Sequence, residues 1–181
     1  MTTQPSRENG AASPALPAAR RLLTALLYAN WLYGLGILAL LLATVVAPGP
    51  VFHALGVLPI DGRETLAAGM RLVMLVGIVA VPVAYVVLSR LRAIVDTVRE
   101  GDPFVAANAE RLQTIAWAYL GLELLRIAVG VVAAGVRSSG QPLDIHWRFS
   151  VTPWVAVLLL FVLARVFDHG ARMRADLEGT V

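Results

Sequence analysis

Four long apolar stretches constrain this chain more than anything else in it. They fall at about 22–47, 66–88, 112–136 and 151–167. Crossing the hydrocarbon core of a bilayer takes about 20 apolar residues at 1.5 Å of rise each. The first stretch holds no charge and stops at Pro48-Gly49-Pro50, with Arg20 and Arg21 at its start and Tyr28 and Trp31 close by as headgroup-level anchors. The second contains Pro82, which removes one backbone hydrogen bond and should kink a helix. The fourth is near the lower length limit, and Arg165 at its end can extend its headgroup into the interface. These runs predict an all-α membrane protein, a four-transmembrane-helix bundle.

Composition agrees. The chain is 58% hydrophobic and 15% charged, against about 45–50% and about 25% in soluble domains, and its mean hydropathy is +0.73. With no cysteine, disulfides and thiolate metal sites are excluded. His53, His146 and His169 are far apart and lack a neighbouring ligand at metal spacing, so neither a metal nor a cofactor is expected. Every basic residue is Arg, and the arginines flank the apolar runs instead of forming one basic face. That pattern reads as topology signals and contacts with the lipid bilayer, without direct nucleic-acid binding.

The arginines also set an orientation. Arg7, Arg20, Arg21, Arg90, Arg92, Arg99, Arg111, Arg165, Arg172 and Arg174 fall on one side, and only Arg63, Arg137 and Arg148 on the other. Arginine-rich short loops stay in the cytoplasm. The expected topology is N-in/C-in in the cytoplasmic (plasma) membrane: a disordered cytoplasmic tail at 1–19, a transmembrane domain at 20–170, and a cytoplasmic tail at 171–181. The 1–19 segment is not a signal peptide, because the apolar run after it is too long for an h-region. On the outer side, 143–151 alternates apolar and polar residues strictly, a strand signal. It predicts a small extracytoplasmic β element pairing with part of 51–60; the alternative is an interfacial coil anchored by Trp147 and Phe149.

On the inner side, Leu88, Leu91, Ile94, Val95 and Val98 recur at helical spacing among charged residues, so an amphipathic helix should continue from the second span. Gly101 suits the left-handed position that ends it. Asp102-Pro103 suits an N-cap and first helical residue, Phe104 can fold back on the apolar stripe, and Asn108 can cap the helix of the third span. This connector is either a hairpin on the membrane surface or a docking surface for a cytoplasmic partner. Arg92, Asp96, Arg99, Phe104 and Asn108 are the candidate contact residues.

Arg71, Glu123 and Arg126 lie within the spans. A charge at mid-bilayer costs at least about 2.5–3.5 kcal/mol and usually pairs inside the bundle. Glu123 and Arg126 are spaced i, i+3 and share a face; Arg71 could reach them from the neighbouring helix. The three read either as an ion-paired clamp between the second and third spans or as a binding or proton-sensing site. Gly69, Gly77, Gly121 and Gly130 are candidate close-packing positions. No phosphate loop, metal helix or nucleophile signature is present, so no enzyme is expected.

The connector Glu100-Gly101-Asp102-Pro103-Phe104, followed by Asn108 and Arg111-Leu112, and the ending from Phe167-Asp168-His169-Gly170 to Val181 resemble a known family. Together with four spans, they are similar to the bacterial membrane proteins grouped as domain of unknown function 2975. That resemblance implies no catalytic residue. Family members often lie beside a small helix-turn-helix regulator, which implies a regulatory or sensory membrane protein with such a cytoplasmic partner. The alternative from the residues themselves is a small transporter or permease component using Arg71, Glu123 and Arg126. Homo-oligomerisation stays open.

Overall fold

A computed structural model describes residues 15–54, 63–138 and 150–178. It is all-helical there: α1 Ala15–Val46, α2 Pro48–Ala54, α3 Arg63–Arg99, α4 Ala106–Ser138 and α5 Thr152–Glu178. All except α2 are long and apolar enough to cross a membrane, the mark of a multi-pass membrane protein.

The helices outrun the apolar stretches. α3 has 37 residues, about 55 Å at 1.5 Å per residue, well over the ~30 Å hydrocarbon core. Its surplus is the amphipathic extension past Leu88, continuous with the span as its periodicity predicts. α1 begins at Ala15, inside the stretch read as tail. Pro17 does not prevent this, since the first-turn N–H groups of a helix have no partner to lose. α5 likewise continues through most of the C-terminal tail.

The helices follow one another in a row. α3 packs on α1 and on α4, and α4 packs on α5, but among the described residues no Cα of α1 comes within 8 Å of α5. The four long helices expected from the sequence therefore form an open row among the described residues. Apolar side chains in lipid have no drive to turn away from the surrounding chains, so nothing compels the first and last helices to meet. Leu32 at 73% exposed, Leu159 at 60% and Val46 at 82% show how much apolar surface the row presents.

Two interhelical approaches are close. A Cβ on Gly34 of α1 would lie 3.0 Å from Val81 Cγ1 of α3, and one on Gly77 of α3 would lie 3.1 Å from Ile37 Cδ1 of α1. Gly121 meets Val83 only at 3.9 Å, ordinary contact, so it is not a close-packing glycine; Gly69 and Gly130 are buried. Asn30 donates its Nδ2 to the Val81 carbonyl at 3.1 Å, beside Pro82, adding a polar tie between α1 and α3. No strand occurs among the described residues. Residues 51–54, four of the ten proposed to pair with the 143–151 strand, are helical; 55–60 and 143–149 lie outside the described residues.

Candidate functional site

Polar and charged side chains gather at three levels along the row. At the end of α1 far from the connector, Thr44 is fully buried. Its carbonyl would normally accept from the N–H of residue 48, but residue 48 is proline and has none. Arg71 of α3 supplies the donor, with Nη2 2.6 Å from the Thr44 oxygen. A cation at a helix C-terminus also opposes the negative end of the helix dipole. Arg71 thus caps α1, and its hydrogen bond does not join it to Glu123. Its Nε is buried without a hydrogen-bond partner among the described residues.

At the middle level, Glu123 and Arg126 form the pair their spacing predicts. Nε donates to Oε2 at 2.8 Å and Nη2 to Oε1 at 2.6 Å, a two-pronged ion pair on one helix. Glu123 is 5% exposed. Arg126 borders a cleft of about 440 Å³ that also takes Tyr33 and Ile37 from α1 and Gly77 from α3. The pair is thus a self-neutralised unit on α4, and Arg126 turns one edge to the space between α1, α3 and α4.

The third level is the connector between α3 and α4. Gly101 has φ +87°. The N–H of Asp102 bonds the Thr97 carbonyl at 3.1 Å and that of Gly101 bonds Val98 at 3.2 Å, the paired bonds of a Schellman ending. Asp102-Pro103 does not start the next helix, which begins at Ala106. Asn108 neither caps it nor reaches a surface: it is fully buried. Its Nδ2 donates to Thr97 Oγ1 at 2.8 Å and to the Pro103 carbonyl at 2.9 Å, and its Oδ1 accepts from Arg111 at 2.7 Å. Both N–H donors and the oxygen of the amide are engaged within the hairpin, so Asn108 staples the end of α3 to the start of α4.

The connector then locks onto α5. Phe104 stacks at a tilt on Phe167, ring centres 5.4 Å apart, and lies against Gly170, where a Cβ would come within 3.2 Å of the ring. Asp102 and Arg174 form an ion pair across the same junction. Between them opens a groove of about 510 Å³, walled by Phe104, Val166, Gly170 and Met173 and edged by Arg165, His169 and Arg174. Phe104 remains 46% exposed and Met173 52%. The five candidate contact residues of the connector therefore separate. Asn108 is interior, Phe104 faces α5, and Asp96 sits 2.9 Å from Arg20 of α1 and 3.8 Å from Arg99. Arg92 and Arg99 line a different groove, against α1.

A family model described as "Protein of unknown function (DUF2975)" matches residues 24–181. The chain belongs to the DUF2975 family. The match takes in every feature just described except the first residues of α1, so Arg20, partner of Asp96, falls just before it. No curated protein and no solved structure matches the chain.

Proposed function

We propose that this is a non-enzymatic, multi-pass protein of the bacterial plasma membrane that acts in regulation or sensing by holding a cytoplasmic protein at its connector end. The arginine distribution supports placing both termini and the α3–α4 connector in the cytoplasm. The observation that carries the reading is the groove between Phe104 and α5. Its floor is apolar and its edge cationic, with two large exposed hydrophobics, Phe104 and Met173, side by side on a backbone locked by the Schellman turn and the Asn108 staple. Aromatic and methionine side chains are enriched at protein interfaces, the methionine adapting to the partner's shape. The partner chemistry that fits is a helix or loop with an apolar side chain flanked by acidic residues. The family resemblance points to a helix-turn-helix regulator as its bearer.

A pull-down with a helix-turn-helix regulator of the kind the family resemblance implies tests the proposal. Phe104→Ala and Met173→Glu should each lower retention about tenfold or more, the size of an interface hot spot. Full binding by Phe104→Ala would count against the reading.

A second reading rests on Arg126 at the cleft between α1, α3 and α4: a small transporter or permease component in which the Glu123–Arg126 pair opens toward a passing ligand. In proteoliposomes, Glu123→Gln would then abolish a pH-dependent flux while the protein stayed folded.

A further inference from the structure

We propose that the groove between the start of α1 and the end of α3 is a binding site for an anionic phospholipid, held by the phosphate oxygens of its headgroup. The groove has a volume of about 580 Å³ and is lined by Arg20 and Arg21 from α1 and Arg92 and Arg99 from α3. Among the described residues the carboxylate bonded to this set is Asp96, on Arg20 and more loosely on Arg99. Four guanidiniums against one carboxylate leave three positive charges in excess. Like charges gathered in one groove repel one another, and the arrangement is relieved by an anion. The guanidinium fork matches phosphate oxygens two at a time.

Depth separates a lipid from a free phosphate. Arg20 and Arg21 stand just before the apolar run that begins at Leu22, and Arg92 and Arg99 lie on the part of α3 past Leu88. The guanidiniums therefore sit at the border of hydrocarbon and water, where headgroup phosphates lie. From there the groove continues along α1 past Ala25 to Tyr28, about 6–12 Å deeper at 1.5 Å per residue. Tyr28 is 75% exposed. Thr24, Ala25 and the Tyr28 ring lead inward from the cations, and the Thr24 hydroxyl is already spent on the Arg20 carbonyl at 2.8 Å. This wall gives little to a small hydrated anion, but it gives an acyl chain a surface to lie on. The site is separate from the groove at Phe104, on the other edge of the row.

The test uses the full chain, purified in detergent with equal amounts of phosphatidylglycerol and phosphatidylcholine, with native mass spectrometry counting the retained lipids. The unaltered chain should keep phosphatidylglycerol about tenfold over phosphatidylcholine, on the order expected for arginines at a headgroup surface. Arg92→Gln/Arg99→Gln should bring the ratio near one, with helix content by circular dichroism unchanged. Arg90→Gln, on the same helix but not lining the groove, should leave the ratio intact. No preference in the unaltered chain, or equal loss with Arg90→Gln, would overturn the proposal. So would displacement of the phosphatidylglycerol by millimolar inorganic phosphate, which would make the site a reader of free phosphate.

Discussion

Arg71, Asn108 and Glu123 show how differently single polar residues can serve a membrane fold. Arg71 replaces a hydrogen bond that Pro48 cannot make. The signal for it was in the sequence, a proline four residues after Thr44, but it points to an orphaned carbonyl and does not say which donor will come. Removing the donor should matter: Arg71→Leu leaves a buried carbonyl bare, and about 1–3 kcal/mol of stability should be lost, measured by denaturant unfolding in micelles. Asn108 was legible as a polar residue at a helix start and misassigned as cap and contact. Nothing in its spacing shows that Thr97, Pro103 and Arg111 converge on it. Asn108→Leu should cost about 2–4 kcal/mol by the same measurement, since it removes three hydrogen bonds at once from a buried position, whereas an exposed contact residue would cost almost nothing. The Glu123–Arg126 pair was fully legible, because a helix puts i and i+3 on one face. Glu123→Gln leaves Arg126 without its carboxylate and should destabilise by about 1–3 kcal/mol, less than a wholly buried pair because Arg126 is 38% exposed. Glu123→Leu/Arg126→Leu should recover most of that loss.

At the level of the elements, the spans and the helical extension of α3 could be read from periodicity alone. The ends of α1 and α5 could not, because propensity and tertiary contact extend a helix beyond the hydrophobic edge. The ending of α3 was legible at Gly101, where an L-residue would be strained. Gly101→Ala should cost about 1 kcal/mol. The start of α4 was not, because Asp102 spends its carboxylate on Arg174 of α5, a partner 72 residues away that no local rule anticipates. Helix contacts divide the glycines in the same way. Gly34→Ala forces a methyl into Val81 and should separate α1 from α3 at a cost of about 1–3 kcal/mol. Gly36→Ala, two residues on, meets nothing within 4 Å and should be neutral or slightly stabilising in the same unfolding experiment.

For the whole molecule, the number of spans follows from hydropathy, while the open row does not, since sequence hydropathy cannot tell a side chain facing lipid from one facing another helix. The row explains why the two candidate surfaces are independent: α1 carries the cationic groove on one edge, α5 carries the apolar groove on the other, and α3 and α4 with their stapled hairpin hold the two edges apart. Both grooves lie at the connector end, so any partner and any headgroup meet the protein on one face of the membrane. Everything proposed for this protein depends on that sidedness. The chain has no cysteine of its own, which makes single-cysteine labelling free of background. Glu100→Cys, Ala175→Cys, His53→Cys and Ser138→Cys, all at exposed positions, would be treated in intact cells with a membrane-impermeant maleimide. Labelling of His53→Cys and Ser138→Cys alone, with the other two reacting only after permeabilisation, is the predicted result; labelling of Glu100→Cys together with Ser138→Cys in intact cells would contradict it.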